Sequence, residues 1–305
     1  MSRPRLRGWV YDHTNGRQDR PGRPRPADEP GEHAGRVLDR LKGDLMAQRT
    51  GRTADGSAGD ADYGAIGGSY AAYRRPEPRI AALIEQALGG ARTVLNVGAG
   101  AGSYESEAFD VTPVEPSASM RAQRPAHLPQ AVDAVAEDLP FPDDAFDGAM
   151  TTFSVHQWSD VKAGLRELRR VTRGPVVVLT CDPDLVRDFW LYEYAPLVLD
   201  TEARRYPSVA DITEALGGEV EVTVVPVPAD CVDGFNEAYY ARPEMLLDPA
   251  ARQSCSAWSF VPAEVAREYT DRLERDLASG AWDERYGHLR QQAVLEGSLV
   301  LIRAQ

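Results

Sequence analysis

Three glycines at the end of an apolar run are the most chemically informative residues in this sequence. The string VLNVGAGAGSYE carries Val94, Leu95, Asn96 and Val97 straight into Gly98, Gly100 and Gly102. Positions without side chains let the backbone approach a ligand closely, and they fall here at the C-terminal end of a strand, where doubly wound sheets bind their ligands. Spacing separates the ligand classes. A dinucleotide-binding turn needs its third glycine three places after the second, and Ser103 stands there, so the pattern is G-x-G-x-G and a nicotinamide-dependent oxidoreductase is disfavoured. Glu115 ends the next apolar run, where a carboxylate accepts hydrogen bonds from both hydroxyls of a ribose. Gly98, Ala99, Gly100 and Glu115 are therefore expected to hold a nucleoside across the tips of two neighbouring strands.

The candidate for proton transfer is His156, just beyond the end of the fourth apolar run, on the side where loops face the ligand crevice. A neutral imidazole there takes a proton from an attacking hydroxyl or amine, which makes His156 a possible general base. Hydrogen bonding and packing are the plainer roles for the same residue. Metal chemistry is not expected, because the five histidines, His13, His33, His127, His156 and His288, are scattered and form no i, i+4 pair. The acidic run Glu137, Asp138, Asp143, Asp144 and Asp147 reads as a solvated loop rather than a cation site. No Ser-His-Asp or Cys-His arrangement emerges from the spacing.

Alternating strand-like and helical patterns position these groups. Apolar β-like runs lie at Thr93 to Val97, Val111 to Glu115, weakly at Ala131 to Val135, Phe146 to Phe153, and Pro175 to Cys181. A helix announced by Pro76 and Pro78, carrying Ile80, Leu83, Ile84, Ala87 and Leu88, precedes them and stops at Gly89 and Gly90. Val161, Leu165, Leu168 and Val171 form the buried stripe of a crossover helix ending at Gly174. This order implies βαβ units and a mainly parallel sheet. Further strands are expected at Glu219 to Val227 and Ser298 to Ile302. The segment 228–297 between them is too long for a bare loop and carries a helical face of Val265, Tyr269, Leu273 and Leu277, so a cap is expected there. Its aromatic residues either form the cap's own core or line a substrate pocket; Tyr239 from the cap, with Phe153 and Trp158 from beside His156, are the pocket candidates.

Residues 1–62 have another character, rich in Arg, Pro, Gly and Asp, and are expected to be a largely disordered arm with one short helix at 34–48. Met46 within it is an alternative start. The formal net charge of −13 disfavours nucleic acid or an anionic membrane surface as partner. No apolar run approaches a membrane span, no signal-peptide core follows the first residues, and Cys181, Cys231 and Cys255 form neither a C-x-x-C pair nor an even set, so a reduced cytoplasmic setting is expected.

The glycine string and the acid after it resemble motif I and the following acidic position of class I S-adenosylmethionine-dependent methyltransferases. AEDLPF, then PDDAFDGAM and SVHQW, are similar to the segments that follow in the methyltransferase type 11 group. The resemblance spans residues 63–305 and implies a Rossmann-like, doubly wound, mainly parallel seven-stranded sheet with a helical cap inserted before the last strand. It implies S-adenosyl-L-methionine as cofactor, Ala136 and Glu137 along the adenine, and a lid whose tyrosine and arginine fall at Tyr70 and Arg75, with Tyr63 and Arg74 as nearby options. The chain also departs from the group's pattern. Asn96 replaces the acid often found before the first glycine, Val135 replaces an acid near the adenine segment, and the short stretch from Gly102 to Val111 predicts a loop in place of a helix. The expected reaction is methyl transfer to O, N or C of a small, partly apolar metabolite. A cofactor-binding module without methyl transfer is the alternative.

Overall fold

The ends of the strands that flank the glycine turn are set by a sheet whose central strands are buried on both faces. The computed structural model describes residues 72–305; the expected arm, its short helix, Tyr63 and Tyr70 lie outside the described residues. Strands β1 (Thr93–Val97), β2 (Asp110–Val114), β3 (Gly148–Thr152), β4 (Val176–Cys181), β5 (Val220–Val224) and β8 (Leu299–Ala304) form a six-stranded sheet in the order β2-β1-β3-β4-β8-β5. β1 to β4 pair in parallel, and β8 runs antiparallel to both β4 and β5. β6 (Val227–Pro228) and β7 (Val294–Leu295) make a separate two-stranded ribbon at the base of the cap.

The seventh strand implied by the resemblance is reduced to a single bridge, Val114 with Val132. There Glu115 N donates to Val132 O and Val132 N to Pro113 O, at 3.0 and 2.9 Å, and pairing goes no further. After Val132 the chain turns away from β2, with Asp133 exposed and Ala134 N donating back to Val132 O at 3.1 Å, so no ladder continues. The expected loop between Gly102 and β2 is present as a series of turns.

β4 shows why the sheet carries two cores: Val177, Leu179 and Cys181 point into one hydrophobic cluster and Val176 and Val178 into the other. The second cluster is closed by α3 (Val161–Val171), whose N-cap Asp160 accepts from Ala163 N at 2.9 Å, and by α6 (Val209–Leu216). The first is closed by α1 (Pro78–Leu88), begun by a proline at its first turn with Glu77 as N-cap and ended by Gly89 at φ +60°. A one-turn helix, α2 (Ala118–Ala122), follows β2.

The cap continues the first core and is built from two segments. One comes between β4 and α6 and contains α4 (Leu191–Tyr194) and α5 (Pro196–Arg205); the other lies between β6 and β7 and contains α7 (Pro249–Gln253), α8 (Ala263–Ser279) and α9 (Ala281–Tyr286). Only the second was legible as an insertion. Trp190 joins the two segments, stacking edge-on against Trp282 at 5.3 Å and Tyr194 at 5.8 Å while its indole N–H donates to Tyr240 O at 3.2 Å. Most of the cap aromatics therefore serve its core. Among the described residues no helix is long and apolar enough to cross a membrane.

Candidate functional site

The glycine turn has the backbone that its composition demands. Gly98, Gly100 and Gly102 take φ values of +71°, +51° and +99°, a region that side-chain-bearing residues rarely adopt. Gly98 N and Ala99 N both donate to Val114 O, at 2.9 and 3.0 Å, which clamps the turn onto β2. Glu115, the next residue of that strand's exit, accepts from Gly100 N and from Ser117 N, each at 2.8 Å. Turn and acid thus face one cleft and touch. Burial raises the Glu115 carboxyl above its ordinary range while these two N–H donors hold it down.

The cleft over this turn encloses about 850 Å³ of empty space, counting its open mouth. Its floor is bare peptide from Gly98 to Ala101, Glu115 stands on one side, and Met120, Ala134, Ala136 and the indole of Trp158 supply flat or apolar walls. A purine nucleoside fits that set: apolar faces for the base, a carboxylate for the sugar hydroxyls, and main chain without side chains for the 5′ substituent. Trp158 belongs to this cleft rather than to the acceptor pocket where the sequence placed it. Its N–H donates to Ser154 Oγ at 3.0 Å, and Ser154 and Gln157, which the sequence reading passed over, line the same wall.

Asn96 and Glu137 serve the cleft from behind and do not line it. Asn96 is fully buried and donates to Glu105 Oε1 at 3.0 Å; Glu105 pairs with Arg124 at 2.6 Å, and Arg124 donates to Gly100 O at 3.3 Å. The uncharged amide is suited to that place, because Arg124 already neutralises the one buried carboxylate. Glu137 turns its carboxylate away from the adenine wall to accept from Ser159 Oγ and Asp160 N, at 2.8 and 2.9 Å. Ala136 does face the cleft.

Gly164 on α3 explains how Trp158 is seated. A Cβ there would lie 2.6 Å from the indole and 3.0 Å from the Ala136 Cβ. Gly164→Ala is expected to push Trp158 into the cleft, destabilising the fold by about 1–3 kcal/mol and weakening S-adenosylhomocysteine binding. Calorimetric titration beside a thermal melt separates the two effects, and unchanged affinity would remove Trp158 from the cleft wall.

Of the two arginines proposed for the lid, Arg74 faces the cleft and Arg75 does not. Arg74 forms an isolated antiparallel bridge with Asp233 of the cap, and the alternation of an extended chain sends the neighbouring Arg75 side chain to solvent, where it is exposed. Arg74 Nε donates to Asp233 Oδ1 at 2.5 Å, and its guanidinium lies 4.8 Å over the Phe153 ring. The other Asp233 oxygen accepts from the Tyr104 hydroxyl at 2.7 Å. Among the described residues, Tyr104 and Phe153 are two of the three non-glycine residues with positive φ, at +63° and +51°, and both line the cleft.

Phe153 and Arg74 also form the partition to a second chamber lined by His156, Glu202, Arg205, Tyr206, Phe235 and Asn236. Phe153 packs against Phe235 at 5.3 Å, and the His156 imidazole packs against Tyr206 at 4.7 Å between centroids. Burial, with Arg205 and Arg74 nearby, holds the imidazole pKa well below its ordinary value, so His156 is neutral, and its Nδ1 has no partner among the described residues. Tyr239 does not reach either chamber. It is buried in the cap with its hydroxyl against Gly234, where a Cβ would come within 2.3 Å of that oxygen.

A mainly parallel sheet with a glycine turn and an acid joined at its tip is the nucleoside-binding edge of the S-adenosylmethionine-dependent methyltransferase fold, whose cofactor is S-adenosylmethionine. Residues 95–178 match the family model described as a methyltransferase domain. It is 40% identical over 120 residues to the uncharacterized protein YafE of Escherichia coli, covering 37% of this chain and 57% of that one. It is 34% identical over 91 residues to the uncharacterized methyltransferase YcgJ of Bacillus subtilis, covering 26% and 36% respectively. The chain thus spans little more than half of one curated relative and about a third of the other. The structure resembles that of a putative methyltransferase from an antibiotic biosynthesis pathway of Anabaena variabilis, with a TM-score of 0.71 and 28% identity over 76% of this chain and 99% of that one.

Proposed function

We propose that this protein transfers a methyl group from S-adenosylmethionine to a nucleophilic atom of a small, partly apolar metabolite. The observation that carries this reading is the pair of adjoining chambers, one fitted to a nucleoside and the other closed by the cap, with Phe153 and Arg74 as their shared wall. The cofactor supplies an electrophilic methyl group on a sulfonium. The chain's part is to hold donor and acceptor in line and to keep water out; such positioning can supply ~7–11 kcal/mol of the barrier. Gly98, Ala99, Gly100 and Glu115 hold the nucleoside, and the cap residues around Phe235 select the acceptor. His156, neutral and facing the second chamber, acts as a hydrogen-bond acceptor to the bound molecule. Its depressed basicity suits that role better than keeping a proton. The net charge of −13 argues against a nucleic-acid acceptor, and the Anabaena protein's link to antibiotic biosynthesis favours a metabolite.

Incubation of the full chain with methyl-labelled cofactor and a panel of metabolites tests the reading. Label is expected in a low-molecular-mass product. Tight cofactor binding with no transfer to any acceptor would leave a binding module in place of an enzyme.

A further inference from the structure

The hydrogen-bonding inventory of the second chamber identifies the chemistry of the molecule it takes, an inference that rests on the methyl-transfer reading. Several of the chamber's donors already have acceptors among the described residues. Asn236 Nδ2 donates to Glu202 Oε2 at 2.9 Å, and the amide cannot turn, because Trp258 Nε1 donates to its oxygen at 3.1 Å. Arg205 Nη1 donates to Ser256 Oγ at 2.9 Å, Cys255 Sγ to Gly234 O at 3.3 Å, and Arg74 to Asp233 as above. One acceptor remains open: among the described residues no donor reaches Glu202 Oε1, and the neutral His156 imidazole beside it keeps an unpartnered Nδ1. An open carboxylate oxygen set beside the Phe153 and Phe235 rings is complementary to a molecule that brings O–H or N–H donors on an apolar frame.

We propose that Glu202 is the proton-accepting catalytic residue and that the acceptor substrate is a small hydroxyl or amine compound. In that step the acceptor oxygen or nitrogen forms a bond to the methyl carbon as the carbon–sulfur bond breaks, the electron pair of the latter staying on sulfur. The proton of the attacking O–H or N–H passes to the Glu202 carboxylate and leaves to solvent after product release. Glu202 sits on α5, in the cap segment before α6, so the cap brings the base to a nucleoside site built by the sheet.

The groups facing Glu202 agree with this role. Burial raises its pKa above the ordinary carboxylate range, while Asn236, Arg205 and Arg74 favour the ionised form. Cys181 and Tyr206 face it as neutral groups, their pKa values pushed well up by burial, and Cys255 lies beside it, pushed up to about 12. Glu237, raised to about 7, adds a like charge. A base must be deprotonated to act, so the rate is expected to fall as pH drops through the raised Glu202 value.

The test compares wild type with Glu202→Gln, both loaded with S-adenosylhomocysteine, for binding of phenol and aniline by saturation-transfer NMR. The same pair, with methyl-labelled cofactor, is then assayed over a phenol and amine panel from pH 5 to 9. Expected are binding of at least one probe weakened tenfold or more in the variant, kcat lowered by about 10²–10⁴, and loss of the acid limb. Calorimetric affinity for S-adenosylhomocysteine and the melting temperature are expected to hold, and Glu202→Asp to restore part of the rate. No probe bound by wild type, or equal binding and an unchanged pH profile in the variant, would overturn the assignment. Probe binding that depends on Glu202, with no transfer in wild type, would sink the methyl-transfer reading and leave the chamber's chemistry standing.

Discussion

Glu115→Ala is expected to lower S-adenosylmethionine affinity by about tenfold or more, and to do so through two contributions that a second variant separates. The first is direct: a charged hydrogen-bond partner contributes about 1.5–3 kcal/mol, and the carboxylate stands on the cleft wall where the ribose hydroxyls belong. The second is indirect. Glu115 accepts from Gly100 N and Ser117 N, so truncation leaves both donors without their acceptor and loosens the turn that forms the cleft floor. Glu115→Gln keeps one oxygen as an acceptor and removes the charge. Calorimetry is expected to place its affinity between wild type and alanine, with a melting temperature closer to wild type. An alanine variant that bound the cofactor as tightly as wild type would contradict the assignment of this cleft.

The largest stability effect is expected at Arg74. Its partner Asp233 is nearly inaccessible, with side-chain exposures of 11% for the arginine and 2% for the aspartate. Removing one member of such a pair strands the other charge in a poor medium, a loss of about 3–5 kcal/mol. For a domain of this size that corresponds to a fall in melting temperature of roughly 6–20 °C. Asp233 also accepts from Tyr104, which follows the glycine turn, so the loss is transmitted to the cofactor cleft. Arg74→Ala is therefore expected to melt early and to bind S-adenosylhomocysteine weakly. Arg74→Ala/Asp233→Asn, which removes the stranded charge, is expected to regain much of the stability and little of the affinity. Equal melting of wild type and Arg74→Ala would show that the pair carries no net energy, and Arg75→Ala, at an exposed position, is the control expected to change neither quantity.

The difference between Arg74 and Arg75 marks where the sequence stops being informative. Local chemistry was readable along the chain: a strand running into glycines with no room for side chains, an acid at the next strand's exit, and Asp160 opening a helix with a buried stripe of Leu165 and Leu168. Those features depend on residues within a turn or two of each other, and they located Gly98, Ala99, Gly100 and Glu115 at one cleft, to which the resemblance added Ala136. Phase along an irregular lid is not set locally. One residue's shift turns a side chain from the cleft to water, and only the bridge to Asp233, far along the chain, decides between the two arginines. Tyr239 failed for the same reason, since an aromatic residue serves a core or a pocket depending on what packs over it.

By itself, then, the sequence determined the mainly parallel sheet and its nucleoside-binding edge, because backbone geometry and hydrophobic periodicity act between near neighbours; the cofactor followed from the resemblance of that edge to the methyltransferases. The tertiary structure alone decided which cap residues meet that edge. Glu202 from α5, Asn236 from the second cap segment and His156 from the exit of β3 converge on one chamber only because the Trp190 cluster packs the two cap segments into a single core with the sheet. Convergence of that kind is settled by burial shared among distant residues, and no spacing along the chain encodes it.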